Sequence, residues 1–202
     1  RESQRRLQTQ KFDLMQVHNL IGWQDALPVL REWQQEGLVR YIGITTSHGR
    51  YHEELETLLR NEPFDFVQLS YNIEDRRVEQ RLLPLAAERG IAVLVNRPFQ
   101  RGALFGKVKG QALPAWASEI DCASWGQFFL KFIVSHPAVT CAIPATSRVD
   151  HMRENMGALR DFSNLEPPGA DSCGFQFTFF DNLVEKTEQT RLFSEFNYEI
   201  TP

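Results

Sequence analysis

Short apolar runs alternate with amphipathic stretches along residues 12–159, and few folds accommodate such an alternation. Five apolar runs predict β-strands, at residues 12–18, 39–45, 66–71, 91–95 and 139–143. Apolar residues at helical spacing predict helices at residues 25–37, 51–60, 78–89, 124–135 and 148–159. Because a helix follows each strand, we expect parallel strands, in either an open doubly wound sheet or a barrel.

The run at residues 91–95 is apolar at every position, which predicts a parallel strand covered on both faces. Two details favour the barrel over the open sheet. The helices follow the strands with short connections. No GxGxxG motif opens the first unit, which counts against a dinucleotide-binding Rossmann sheet. We therefore predict an α/β fold, a partial TIM-type (β/α)8 barrel with about five βα units.

Composition excludes several classes of function. The 202 residues carry a net charge of −4, so no positive field is expected to hold nucleic acid or an anionic membrane. No apolar run approaches the roughly 18 residues of a membrane span, and the first dozen residues are too polar for a secretory signal. The three cysteines, Cys122, Cys141 and Cys173, lack CxxC spacing, so we expect idle thiols, no metal site and a reducing, cytoplasmic location.

Residues 161–202 break the pattern and are predicted to form a C-terminal tail outside the domain of residues 1–160. This tail holds seven of the fifteen phenylalanines. Within it, residues 175–180 (FQFTFF) suggest an extended segment and residues 182–196 a helix. So much apolar surface is expected to pack on the domain or to associate.

Five strings carry a resemblance to a known family. They are DLMQVHN (13–19), RYIGITT (40–46), DFVQLSYNI (65–73), VNRPFQRGAL (95–104) and IPATSRVDHMRENMGAL (143–159). In order and spacing they resemble the second half of the aldo-keto reductase family, from its fourth barrel strand onward. The resemblance implies a (β/α)8 barrel that uses NADPH, less often NADH, to reduce aldehydes and ketones, with the N-terminal part absent from this sequence.

The resemblance implies one catalytic residue here, His18, at the end of the first predicted strand, with Asn19 beside it as a substrate contact. The family's Asp, its Tyr acid and the Lys that lowers the Tyr pKa lie on units that precede residue 1. A phenol with a pKa near ~10 needs that Lys to protonate the alkoxide left by hydride transfer at neutral pH. We therefore expect a fragment that is inactive alone.

The resemblance also implies a set of cofactor contacts: Thr45, Thr46, Gln68, Asn96, Arg97, Pro98, Phe99, Pro144, Thr146, Ser147, Arg148, His151, Glu154 and Asn155. At the nicotinamide end, Gln68 matches the residue that binds the carboxamide. Thr45-Thr46 replaces the family's Ser-Asn, and Asn96 replaces its stacking aromatic, so stacking is lost or supplied by Phe99. Arg97, with Arg101 of the same loop, is a candidate for the pyrophosphate.

At the adenosine end of the cofactor site, the residues match those of the family more closely than at the nicotinamide end. Pro144, Thr146, Ser147 and Arg148 match the binding site of the 2′-phosphate, and Glu154 and Asn155 match residues that hold adenine. His151 stands where many members of the family have an Arg, so the resemblance leaves open whether the cofactor is NADP or NAD. A capped helix with Ser147 as N-cap and solvated charges is the alternative explanation of the same residues.

Three functions stay open at this point. The first is the C-terminal part of an NAD(P)H-dependent carbonyl reductase. The second is a non-catalytic half-barrel that self-associates through unpaired sheet edges or binds a partner. The third is an open α/β domain that keeps a nucleotide site without chemistry.

Overall fold

The computed structural model describes residues 2–158, and its central feature is one parallel sheet. The five strands are β1 (Phe12–Val17), β2 (Val39–Thr45), β3 (Phe66–Ser70), β4 (Ala92–Asn96) and β5 (Cys141–Ala142). The α-helices are α1 (Glu2–Leu7), α2 (Trp23–Gln35), α3 (His52–Asn61), α4 (Leu82–Arg89), α5 (Ala103–Lys107), α6 (Trp125–Val134) and α7 (Val149–Gly157). All five predicted strands and all five predicted helices are present. The short helices α1 and α5 were not predicted.

Strand order decides between the two candidate architectures. The strands pair in the order β1-β2-β3-β4-β5, the same as their order in the chain. A doubly wound sheet reverses its strand order at a switch point, whereas a barrel adds each new strand to the same side. The described residues therefore form a segment of a barrel.

The core lies between the sheet and the helices. One face of each strand points towards α2, α3, α4 and α6, and its side chains are almost completely buried, as Ile44, Val67 and Val93 show at 0% exposure. Helix residues such as Leu59 and Leu83 are equally buried against them. Burial of these apolar side chains is the main stabilising contribution in this part of the chain.

The opposite face of the sheet, here called the inner face, is unevenly buried: Val39 and Ser70 on it are 1% and 2% exposed, whereas Tyr41 on β2 and Leu94 on β4 are half-buried. Along β4, half-buried and buried positions alternate. Within residues 2–158 the inner face of β4 is therefore only partly covered, and the prediction of a strand covered on both faces stays a prediction. The continuous apolar run is typical of a strand inside a closed barrel, where opposite strands cover this face.

Local chemistry explains where element boundaries differ from prediction. The helix predicted at residues 78–89 is a 3-10 turn at Arg77–Gln80 followed by α4. Pro84 has no N–H and fits only the first turn of a helix, so α4 begins at Leu82. The predicted stop after α2 is confirmed, because Gly37 has a left-handed φ of 76°.

Several predictions fall outside what residues 2–158 test. The tail, its extended segment 175–180, its helix 182–196 and Cys173 lie beyond the described range. Within that range no helix is long and apolar enough to cross a membrane, and no three His, Cys, Asp or Glu residues are grouped to hold a metal ion. The cytoplasmic location stays a prediction.

Candidate active site

The carboxyl ends of β1 and β2 bring His18, Asn19 and Thr45 together. His18 follows β1 directly and is exposed. The backbone N–H of Asn19 donates to Thr45 Oγ1 at 2.9 Å, and Asn19 Nδ2 lies 3.2 Å from His18 Nε2. Asn19 has a left-handed φ of 53°, a conformation that Asn tolerates better than most residues. His18 thus stands at the edge of the sheet where barrel enzymes place their chemistry.

Thr45 and Gln68 share the inner face, because they are partners in the register of β2 and β3. The Thr45 hydroxyl accepts from Asn19 and keeps its own proton for another acceptor. Thr45 and the next residue, Thr46, are both buried, at 5% and 1% exposure, but the Thr46 hydroxyl differs because it donates to the carbonyl of Arg50 at 2.7 Å. Thr45 and Gln68 are therefore better placed than Thr46 to meet a ligand.

Asn96 uses both ends of its amide inside the protein. Its Oδ1 accepts from Ser70 Oγ at 2.6 Å, and its Nδ2 donates to the carbonyl of Thr46 at 2.9 Å. These bonds tie the carboxyl ends of β2, β3 and β4 together. In this structure Asn96 links the strand ends.

The loop after β4 carries an uncompensated group of cations. Arg97 and Arg101 both have left-handed backbone angles, with φ of 54° and 58°, and Pro98 between them is buried. Partial burial, with the neighbouring charges of Arg101 and Arg50, lowers the pKa of Arg97. Burial and the same arginines also lower the pKa of His48. Among the described residues none of the three arginines has an ion-pair partner, so this edge favours an anion.

An open cleft of about 530 Å³ lies over the ends of β2 to β4. It is lined by His48, Ser70, Asn72, Glu74, Asp75, Arg77, Arg97 and Gln100. Of the residues predicted for the site, the cleft contains Arg97 alone. The polar residues directly after β2 and β3 were the available signal in the sequence, and the prediction missed them. Asn72 shapes the cleft, because its Oδ1 accepts the backbone N–H groups of Glu74 and Asp75.

A second cavity, of about 280 Å³, joins the loop after β4 to the start of α7. We call it the α7 cavity; it is lined by Phe99, Phe105, Gly126, Pro144, Ala145, Thr146, His151, Glu154 and Asn155. The ring of Phe99 packs on Phe105 with centroids 5.0 Å apart, and Asn155 Nδ2 donates to the carbonyl of Pro144 at 3.3 Å. Six of the predicted cofactor residues thus meet in one cavity, and Phe99 lies there beside residues predicted for the adenosine end rather than for the nicotinamide end.

Glycine at position 126 makes part of this room. A Cβ there would lie 3.2 Å from Glu154 Oε1, closer than ordinary contacts allow. The Glu154 side chain therefore lies directly against the backbone of α6. This requirement was not visible in the sequence.

Ser147 and Arg148 lie outside the lining of the α7 cavity, and both are exposed. The guanidinium of Arg148 is held by Asp150: Nε donates to Oδ1 at 3.0 Å, and Nη2 donates to Oδ2. Arg148, not Ser147, is the N-cap of α7, and Thr146 Oγ1 accepts the Arg148 N–H at 3.1 Å. The prediction that Ser147 is the N-cap is therefore wrong, because the helix begins one residue later, whereas the exposed charges of Arg148 and Asp150 fit the rest of that alternative.

Comparison with known proteins shows the family and the fold of the chain. A family model described as "Aldo/keto reductase family" matches residues 1–167. An uncharacterized oxidoreductase of Schizosaccharomyces pombe is 30% identical over 159 residues, which are 77% of this chain and 50% of that protein. The chain spans about half the length of the curated relatives it matches.

Two solved structures share the fold. The holo form of aldo-keto reductase AKR11C1 from Bacillus halodurans superposes with a TM-score of 0.63 at 23% identity, over 88% of this chain and 64% of its own. An aldo/keto reductase from Klebsiella pneumoniae in complex with NADP and acetate superposes at 0.64 with 20% identity, over 88% of this chain and 62% of its own. The family model matches residues 1–167, and the strand order and the residues at the strand ends agree with it. The chain therefore belongs to the aldo/keto reductase family.

Proposed function

We propose that this chain supplies the cofactor-binding half of an NAD(P)H-dependent oxidoreductase that reduces aldehydes or ketones to alcohols. The α7 cavity carries the proposal, because six residues expected at the cofactor from the family resemblance line it together. Phe99 is distant in sequence from the other five residues, which lie between Pro144 and Asn155, so the fold is what brings Phe99 to them.

The donor set of the α7 cavity fits an adenosine phosphate. Phe99 and Phe105 provide an apolar wall for a flat ring, and Glu154 and Asn155 provide polar groups for an amino group or ring nitrogen. The N-terminal turn of α7 and the Thr146 hydroxyl lie at the same end, where a helix favours negative charge. Arg148 adds a guanidinium outside the cavity, which favours NADP; with His151 in place of the family's Arg, NAD is the second option.

At the other end, Thr45 and Gln68 hold hydrogen-bonding groups on the inner face for the nicotinamide carboxamide. The unpaired arginines of the loop after β4 lie between the two ends as partners for the diphosphate. When bound, the cofactor supplies a hydride. The residues of this chain bind and orient it.

His18 is the proposed catalytic residue, with the exposed imidazole placed to orient a carbonyl oxygen and Asn19 beside it. Orientation alone does not supply the proton that the alkoxide needs. The resemblance matches none of the 202 residues to the family's Tyr, Lys or Asp, so His18 is the one catalytic residue proposed here.

The proposal is tested by calorimetric titration of the chain with 2′,5′-ADP and 5′-AMP. We expect about a tenfold preference for 2′,5′-ADP, because charge-assisted Arg–phosphate bonds are among the stronger polar contacts. Arg148→Ala should abolish the preference, whereas Arg153→Ala, an exposed arginine on the same helix, should keep it. Equal affinity for the two nucleotides in the parent chain would refute the NADP assignment.

The open surfaces of the sheet support a second candidate function. The inner face of the sheet is only partly covered within the described residues, and both edge strands are paired on one side there. A non-catalytic half-barrel that self-associates or binds a partner would use these surfaces.

A further inference from the structure

Gln16, Gly43 and Gln68 form a row across three neighbouring strands of the inner face. Gln16 on β1 is the register partner of Gly43 on β2, and β2 lies between β1 and β3. Strands separated by one other strand are roughly 10 Å apart, so side chains on β1 and β3 rarely meet. Nevertheless, Gln16 Nε2 donates to Gln68 Oε1 at 3.3 Å.

Glycine at position 43 makes this crossing possible. A Cβ there would lie 2.9 Å from both Cγ and Oε1 of Gln16, and 3.0 Å from the carbonyl oxygen of Phe66. Gly43 lies within β2 and is absent from the residues with positive φ, so its backbone conformation does not require glycine. Glycine is required by the space above it, which the side chain of Gln16 occupies and the backbone carbonyl of Phe66 borders.

The hydrogen bond to Gln68 fixes the direction of both amides. Gln16 has no other hydrogen-bond partner in the described part of the chain, and its Oε1 is buried there without a donor. Leaving a buried acceptor unpaired costs free energy. The side chain of Gln16 therefore does not have all its hydrogen bonds in this position, and the bond to Gln68 is the one it makes. On the other side, Gln68 Oε1 already accepts from Gln16, whereas the Gln68 NH2 has no partner within residues 2–158 and is the donor left for a ligand.

We propose that Gln16 is a positioning residue: lying across Gly43, it orients Gln68 so that its NH2 is presented to the carboxamide oxygen of the nicotinamide. The inference rests on the proposed function. It adds Gln16 and Gly43, neither of which needs to touch the cofactor. A preoriented amide binds with less loss of side-chain freedom than a mobile one. The affinity for nicotinamide-bearing ligands should therefore depend on Gln16 through Gln68.

The test compares NADP⁺ with 2′,5′-ADP, which has the adenosine half and no nicotinamide, by calorimetric titration of the full chain. In the parent we expect NADP⁺ to bind more tightly than 2′,5′-ADP. Gln16→Met removes the hydrogen bond and keeps the length of the side chain. We expect it to weaken NADP⁺ about fivefold and to leave 2′,5′-ADP unchanged. Leu14→Met, on the same face of β1, is the matched control and should change neither affinity.

Two further variants separate positioning from a general structural role. Gly43→Ala should reproduce the selective loss of NADP⁺ affinity, because the new methyl group displaces Gln16; since that group also meets the carbonyl of Phe66, the unfolding midpoint of the variant is measured beside its affinities. In a double-mutant cycle, Gln16→Met should add nothing to Gln68→Met, since Gln16 acts through Gln68.

The outcomes distinguish this inference from the proposal beneath it. Unchanged NADP⁺ affinity in Gln16→Met, an equal loss of both ligands, or additive effects in the cycle would each overturn the positioning role while 2′,5′-ADP binding stands. Equal affinity of the parent for NADP⁺ and 2′,5′-ADP would overturn it as well, because the nicotinamide would then make no contact. A parent chain that binds neither nucleotide would refute the proposed function and this inference with it.

Discussion

Asp150 competes with any phosphate for the guanidinium of Arg148. The two side chains form a two-bond ion pair with exposures of 63% and 61%. Exposed pairs of this kind add little to stability, so a phosphate displaces the carboxylate at small cost. The carboxylate still leaves a negative charge beside the phosphate. In the ion pair, the hydrogen bond from Arg148 lowers the pKa of Asp150 to about 2, so Asp150 competes with a phosphate as a carboxylate at pH 5 and above.

Asp150→Asn is therefore expected to strengthen the preference for a 2′-phosphate. The substitution frees Arg148 and removes a like charge, so the affinity for 2′,5′-ADP should rise about threefold or more while that for 5′-AMP stays nearly constant. Calorimetric titration measures both. Asp121→Asn, at an exposed aspartate outside the α7 cavity, is the control. An unchanged ratio would mean that Arg148 does not meet the phosphate.

At the residue scale, the sequence strings predicted six of the nine residues that line the α7 cavity, but only Arg97 of those that line the cleft at the ends of β2 to β4. They did not show what each side chain contacts. Asn96 is bound by Ser70 and Thr46, and Phe99 packs on Phe105 in the α7 cavity. Both outcomes depend on partners distant in sequence. The role of Gly43 likewise became visible only once Gln16 was seen to lie across it.

Helix α6 supports the α7 cavity from behind, and its first turn depends on Ser124. Ser124 Oγ accepts the backbone N–H of Gln127 at 3.2 Å, which makes Ser124 the N-cap. The Gln127 side chain then donates from Nε2 to the carbonyl of Glu154 at 3.2 Å. The cap therefore holds a residue that joins α6 to α7.

Ser124→Ala is expected to lower the free energy of unfolding by about 1 kcal/mol, the usual cost of losing a serine cap. Urea unfolding followed by circular dichroism measures it. Ser124→Asp keeps an acceptor at the same position and should stay within a few tenths of a kcal/mol of the parent. If the alanine variant unfolds at the parent midpoint, the cap contributes nothing to the stability of this region.

At the element scale, periodicity predicted the long helices and the strands because their buried faces repeat regularly. It failed where a short element has no such repeat. Helix α5 has five residues and lies in a stretch rich in glycine, and β5 retains two of the five residues predicted for it. Short elements of this kind are fixed by their neighbours: β5 pairs with Leu94 and Val95 of β4.

For the whole molecule, the consecutive strand order establishes a barrel segment. Which catalytic residues this segment contains decides whether the chain is expected to be active. It includes His18 at a strand end without the Tyr, Lys and Asp that the family uses with it. We expect the 202-residue chain to show negligible NADPH oxidation with a panel of aldehydes and quinones, measured by loss of nicotinamide absorbance. Turnover comparable to that of complete reductases would contradict this, and His18→Ala would then show whether the activity belongs to the site.

The open inner face and the sheet edges lead to a prediction about association. Within residues 2–158, β1 pairs only with β2, and Leu14 on β1 is a half-buried apolar residue of the inner face. An unpaired edge beside an apolar face is a template for another chain. The molar mass from light scattering should therefore rise with protein concentration, and Leu14→Lys should reduce the rise by placing a charge at the edge. Val29→Lys adds the same charge to an exposed position on α2, 42% exposed, and should not. A constant monomer mass up to the highest concentration measured would mean that these surfaces are covered within a single chain.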